Sequence, residues 1–244
     1  MNVAMRKNPP TSSVQGDLHP WPLLRNDPLI GAAQRFPWSG AAASGSVLRL
    51  VVHGRSGGDI PHCLHRFADD LAQRRGAPVE LEALTADPLP VIPQHHYWLM
   101  PLLLLPGSHA RLDVPQIRER MRRQGGKVTL LPFLGAWPQW WELLRCWITA
   151  RELQGQSAVV VHHPLRPGLS GRYLATLSAH LGCTLVSADT WGDHLKQHPS
   201  ACPLPLALAP NRMAETLRQA GGLPSLLDDP QLRSGLITLL SVLS

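Results

Sequence analysis

The 244-residue sequence carries little charge: only 16% of its residues are Asp, Glu, Lys or Arg, whereas 44% are hydrophobic. That balance excludes a largely disordered chain, and the length suffices for one large or two small packed cores. Cysteine is scarce and scattered. Cys63, Cys146, Cys183 and Cys202 form no CxxC pair and no His/Cys cluster of zinc-site spacing. Such scatter suits a reducing compartment, in which Cys packs as a small apolar residue; a structural disulfide is the less favoured reading. Long hydrophobic runs are lacking too. The longest, Tyr97 to Leu105, is far too short to span a bilayer, so no membrane span is expected. No apolar stretch follows Arg6 and Lys7, so no secretory signal is expected and the protein is read as cytoplasmic. The charge that exists leans positive, with 23 Lys and Arg against 17 Asp and Glu. This favours an acidic partner, whether nucleic acid, an anionic surface or a polycarboxylate small molecule.

Residues 1–45 are rich in Pro, Gly, Ser and Ala without a sustained period and read as a flexible leader. Trp21, Leu23, Leu24 and Trp38 are its candidate docking residues. From Val47 the pattern changes. Val47 to Val52 reads as a strand ending in His53-Gly54-Arg55-Ser56. Leu64, Phe67, Ala68 and Leu71 then recur at helical spacing, with Asp59 before Pro61 as a start signal and Gly76 as a stop. Val79 to Leu84 reads as a second strand. Tyr97 to Leu105 reads as a third, apolar on both faces as in a parallel sheet. Pro106-Gly107-Ser108-His109 leads into a second helix, with Asp113 as the expected N-cap and Gly125-Gly126 as its end. Lys127 to Leu131 gives a fourth strand. A tryptophan-rich helix follows, with Trp137, Trp140, Trp141, Leu144, Trp147 and Ile148 on one side. The order strand–helix–strand–(helix)–strand–helix–strand–helix implies an α/β fold with a parallel sheet flanked by helices.

The second half reads as a worn copy of the first. Ala158 to Val161 with His162-His163-Pro164 echoes Leu50 to Gly54, an offset of 109 from His53 to His162. Gly171 to Leu181, Thr184 to Ser187, Pro203 to Leu208 and Met213 to Ala220 echo the helix and strand pattern that follows. The expected architecture is a tandem repeat of two similar lobes, 46–153 and 154–244.

In parallel α/β sheets ligands sit beyond the carboxyl ends of the strands. His53 follows the first strand and His109 the third, each close to a glycine that lets backbone and ligand approach. Neutral imidazole ligates divalent first-row metals and accepts protons near neutral pH. A His at a strand end is more often an ordinary polar loop residue, and the sequence has 12 of them. Arg55 and Ser56 could bind carboxylates at the mouth of such a cleft, with a solvated loop charge as the equal reading of Arg55.

The stretch Leu50-Val51-Val52-His53-Gly54-Arg55-Ser56 resembles the opening strand and His-Gly-Ser loop of the sirohydrochlorin cobalto- and ferrochelatases, the class II tetrapyrrole chelatases. Met100 to Pro115, with its apolar strand, Leu-Pro-Gly-Ser-His turn and Asp113-Val114-Pro115 helix start, resembles their second signature. Leu131-Pro132-Phe133-Leu134-Gly135 is similar to their Pro-Leu-Gly segment. The resemblance covers residues 47–150 well and the remainder weakly. It implies insertion of Co²⁺ or Fe²⁺ into a tetrapyrrole, in cobalamin or siroheme biosynthesis, with His53 and His109 as metal ligands and proton acceptors. Arg55, Ser56, Gly107 and Ser108 would line the macrocycle site. The metal is then a substrate, and no prosthetic group is expected. By the same resemblance the active histidines lie in one lobe only. His162 echoes His53, while Asn211-Arg212 stands where a second His109 would be. Two departures stand out: Thr85 occupies the place of the family's acidic residue, with Glu82 and Asp87 nearby, and the first loop reads Gly-Arg-Ser. The Thr85 departure, the worn second lobe and the long leader motivate an alternative, a non-catalytic metal- or tetrapyrrole-binding carrier with the same fold.

Other features have plainer readings. His95 and His96 precede the third strand and belong to the opposite end of the sheet. Arg111, Arg118, Arg120, Arg122, Arg123 and Lys127 read as a solvated face rather than a nucleic-acid patch, because no aromatic platform accompanies them. The tryptophan stripe reads as core or lobe-interface packing, with stacking on a tetrapyrrole as the minor alternative.

Overall fold

The computed structural model describes residues 46–152, 158–165 and 169–243. The expected leader, 1–45, and the expected boundary between residues 153 and 154 lie outside the described residues. The first lobe opens with β1 (Val47–Val52), α1 (His62–Arg75), β2 (Val79–Ala83) and β3 (His96–Pro101). It closes with α2 (Val114–Arg123), β4 (Lys127–Leu130) and α3 (Pro138–Glu152). The second lobe holds β5 (Ala158–His162), α4 (Leu169–Leu181), β6 (Leu185–Ser187), α5 (Trp191–Gln197), β7 (Cys202–Pro205), α6 (Arg212–Gln219) and α7 (Pro230–Ser241). All strand pairs are parallel, in the orders β2-β1-β3-β4 and β6-β5-β7. The two-lobed α/β expectation holds.

Local chemistry explains most of the elements. Leu64, Phe67, Ala68 and Leu71 bury one face of α1, and Gly76, at φ 64°, ends it by donating to the Ala72 and Gln73 carbonyls. Asp59 is not its cap, because Pro61 holds the N-cap position ahead of His62; the Asp59 carbonyl accepts from the Arg55 amide at 2.7 Å. Residues 84–95 hold turns and no helix. The third strand stops at Pro101 rather than Leu105, since Pro106 and the bend before it leave the ladder. His96 opens β3 and meets Thr129 Oγ1 at 3.2 Å, at the amino end of the sheet as expected.

One β1 residue breaks the apolar pattern. Arg49 is fully buried, held by Glu80 and Glu82, by the Leu89 and Pro90 carbonyls and by the Tyr97 ring. Glu82 also takes Arg120 at 2.5 Å. Arg120 is therefore not part of a solvated face, and Glu82 is spent inside the fold.

The lobes share a core. Trp137, Trp140, Trp141, Leu144, Trp147 and Ile148 are all buried, in one cluster with Leu232, Leu236 and Leu240 of α7. A buried Trp removes ~200 Å² from water, on the order of 5 kcal/mol of transfer free energy before entropy. The stripe is interface packing, as expected. α3 packs on α4 of the second lobe, and α7 returns to pack on α1 of the first. Tyr173 of α4 buries its hydroxyl against the Leu104 and Gly135 carbonyls (2.9 and 2.8 Å), and Arg75 of α1 donates to the Leu243 carbonyl at 2.9 Å. Gly135 is required there, because a Cβ would collide with the Leu104 carbonyl.

The repeat is real, but its register is not the one expected. Val52 O accepts from Leu84 N just as His162 O accepts from Ala188 N; Val51 O accepts from Leu102 N just as Val161 O accepts from Leu206 N. Val52 therefore matches His162, an offset of 110, and both are buried. His163, not His162, is the counterpart of His53. The expected pairing was one residue out, and in a strand one residue exchanges the buried face for the open one.

Candidate functional site

β1 and β3 are neighbours, yet the chain leaves β1 towards β2 on one side and reaches β3 for the other half of the sheet. That reversal opens a crevice at their carboxyl ends. His53 is the first residue beyond β1. His109 lies farther from β3, but the Pro106-Gly107 bend, with Gly107 N donating to Leu105 O at 2.8 Å, folds the chain back. The two rings meet: their centroids are 4.8 Å apart at an interplanar angle of 84°, and both reach the surface.

Each ring is oriented through Nδ1. His53 Nδ1 lies 2.8 Å from the Gly54 carbonyl, and His109 Nδ1 lies 2.5 Å from Asp113 Oδ2. A carbonyl or carboxylate can only accept, so Nδ1 donates in both, and in the neutral rings Nε2 holds the lone pair. Gly54, at φ 75°, lies so close to the end of β2 that a Cβ would collide with the Thr85 hydroxyl and the Ala83 side chain. Thr85 donates to the Arg55 carbonyl at 2.8 Å, with the His53 carbonyl at 3.3 Å. It pins the loop that presents His53.

Asp113 does not cap the second helix. One wide turn spans His109–Asp113, in which the Val114 amide reaches back to the His109 carbonyl; Asp113 is already helical and caps nothing. The turn sets Asp113 beside His109 instead. A carboxylate behind a metal-ligating imidazole fixes its tautomer and raises its basicity. The HxxxD spacing at 109–113 was the signal for this contact, and the helix-start reading concealed it.

The remaining candidates are placed unequally. Arg55 is exposed but engaged by the second lobe, pairing with Glu215 at 3.0 Å and donating to the Pro210 carbonyl at 3.3 Å. It borders a cavity of about 600 Å³ with Asp59, His62, Arg66, Pro210 and Asp228. Neither His53 nor His109 lines that cavity. Ser56 opens a short turn, and its side chain lies outside the described residues. Gly107 has open space where a Cβ would be, and Ser108 is exposed ahead of His109 without a capping bond.

His163 is the group that sequence reasoning missed. It is the first residue beyond β5 in the second lobe, near enough to His53 for the two imidazoles to interact electrostatically. Partial burial, then His53 and His162, push its imidazole below the ordinary value. Among the described residues no group of three or more His, Cys, Asp or Glu side chains is arranged to hold a metal ion. The described cysteines are all free. No described helix is long and apolar enough to cross a membrane.

No protein-family model and no curated protein sequence matches the chain. Solved structures do. CbiX, described as the terminal enzyme for biosynthesis of siroheme in denitrifying bacteria, is 20% identical with a TM-score of 0.54, over 80% of this chain and 96% of that one. SirB from Bacillus subtilis with Fe³⁺ is 14% identical with a TM-score of 0.60, over 81% and 96%. The sirohydrochlorin chelatase SirB from Bacillus subtilis subspecies spizizenii, in complex with cobalt, is 16% identical with a TM-score of 0.55, over 81% and 95%. The chain therefore has the two-lobed α/β fold of the sirohydrochlorin chelatases.

Proposed function

We propose that this protein inserts a divalent metal, Co²⁺ or Fe²⁺, into sirohydrochlorin or a closely related tetrapyrrole, on the way to siroheme or cobalamin in the cytoplasm. The observation that carries the reading is the meeting of His53 and His109, each with Nδ1 tied and Nε2 free. The reaction needs two things of the protein. The cation must shed water onto ligands that will release it again, and the macrocycle must lose two pyrrole N–H protons. Two neutral imidazoles supply both: Nε2 lone pairs hold the ion, and as it passes to the ring nitrogens the same lone pairs can accept the displaced protons. A pair rather than a closed cluster suits a metal in transit, because water and the macrocycle complete its coordination.

Arg55, Ser56, Gly107 and Ser108 are, in this reading, the contacts for the carboxylates of the macrocycle. Arg55 already holds a carboxylate, that of Glu215. Exchange for a substrate carboxylate costs little, since the pair is about half exposed. The test is the absorbance change on mixing purified protein, sirohydrochlorin and Co²⁺. The reading requires metallation well above the spontaneous rate; background rate alone refutes it. A non-catalytic carrier is the second reading. Thr85, standing where the family resemblance places an acid, favours it, since its hydroxyl is given to the His53 loop. A carrier binds sirohydrochlorin or metal without accelerating their combination.

A further inference from the structure

His163 matches His53 in backbone position, yet the two rings offer opposite chemistry. Asn211 decides this. Its Oδ1 caps α6 by accepting from the Ala214 amide at 2.9 Å, which fixes which way the side-chain amide points. Its NH₂ group therefore faces His163 Nε2, at 3.5 Å. An amide NH₂ only donates, so Nε2 must be the accepting nitrogen and the neutral ring carries its proton on Nδ1. The contact is long and weak, but its sign is fixed, because an N–H at Nε2 would set donor against donor. His53 and His109 present lone pairs; His163 presents an N–H, with no partner for it among the described residues.

We propose that His163 is the second lobe's hydrogen-bond donor to a substrate carboxylate in the crevice of His53 and His109, with Asn211 as its positioning residue. The proposal rests on the tetrapyrrole reading above and deepens it. A second observation points the same way. Arg55 reaches from the loop after His53 to the carbonyl of Pro210, the residue before Asn211, so a guanidinium and the His163 ring both contact one strip of the second lobe. Both are donors of the kind that recognise carboxylates. In the first lobe Ser108 precedes the turn that begins at His109, as Asn211 precedes α6 beginning at Arg212 in the second.

The experiment titrates sirohydrochlorin without metal, and Co²⁺ without sirohydrochlorin, into wild type, His163→Ala and His163→Asn by calorimetry. One lost hydrogen bond to a carboxylate at a partly exposed site predicts about tenfold weaker sirohydrochlorin binding in His163→Ala. His163→Asn, whose Nδ2 offers a donor near the same place, should recover part of it, with Co²⁺ affinity within twofold of wild type throughout. Unchanged sirohydrochlorin affinity in His163→Ala overturns the proposal, and so does a fall in Co²⁺ affinity, which would make His163 a metal ligand. Failure of wild type to bind sirohydrochlorin at all overturns the functional reading itself, and that is seen before any variant is tested.

Discussion

Removing the Asp113 carboxylate tests how the site works without touching either imidazole. Its Oδ2 accepts from His109 Nδ1 at 2.5 Å, and no other described contact orients that ring through a side-chain hydrogen bond. Loss of such a partner costs ten- to a hundredfold in metal affinity or activity elsewhere. His109 and Asp113 are 44% and 43% exposed, so water screens the pair and the effect belongs at the lower end. Asp113→Ala should weaken Co²⁺ binding about tenfold, or about 1.4 kcal/mol, and slow metallation to match. Asp113→Asn can still accept from Nδ1 but lacks the charge, so its loss should be about threefold. Because Asp113 caps no backbone amide, the unfolding free energy of both variants should stay within about 0.5 kcal/mol of wild type. Calorimetric Co²⁺ titration and urea unfolding read the two quantities separately. Wild-type Co²⁺ affinity in Asp113→Ala, alongside a large loss in His109→Ala, would refute the reasoning.

Three further outcomes follow from the fold. Arg49→Ala should destabilise the protein by about 3–5 kcal/mol in urea unfolding, since it leaves the buried Glu82 carboxylate with Arg120 alone; a loss under about 1 kcal/mol contradicts this. Tyr173→Phe should cost about 1–2 kcal/mol, because the Leu104 carbonyl loses its buried donor while Gly135 keeps Trp141 Nε1 at 2.8 Å; equal stability would argue that water replaces the hydroxyl. Burial pushes the Cys183 thiol up to about 12, and the Cys63 and Cys202 thiols and the Tyr173 phenol upwards as well. In the unfolded chain the thiols ionise near their ordinary 9.0 while the folded protein holds its protons. The stability is thus present below about pH 9 and is lost as pH rises towards the folded values, so the urea midpoint should fall between about pH 8 and about pH 10.5. A midpoint independent of alkaline pH refutes it.

The first lobe was legible because its signals are local. The apolar strand ahead of His53, the stripe from Leu64 to Leu71, and Gly76 at left-handed φ each follow from a few neighbouring residues. The His53–His109 contact was reachable only through the rule that parallel strands gather function at their carboxyl ends. Two kinds of information were hidden. Asp113 has the composition of a cap, and only the wide turn at His109 shows that its carboxylate is used sideways. His162 and His163 are adjacent, and composition cannot say which leaves the sheet; the ladder at Val161 decides it. α7 was legible in principle but not anticipated. Asp229 before Pro230 is a strong start signal, and Leu232, Leu236 and Leu240 recur every fourth residue. The partners that make it essential, α1 and α3, lie far back in the chain.

The central claim is that one metal ion is held by two imidazoles from the first lobe. Pulsed electron paramagnetic resonance on Co²⁺-loaded protein counts coordinated imidazoles directly. The account predicts two in wild type and one in each of His53→Ala and His109→Ala. A Co²⁺ spectrum that lacks imidazole, or that neither substitution alters, would contradict it.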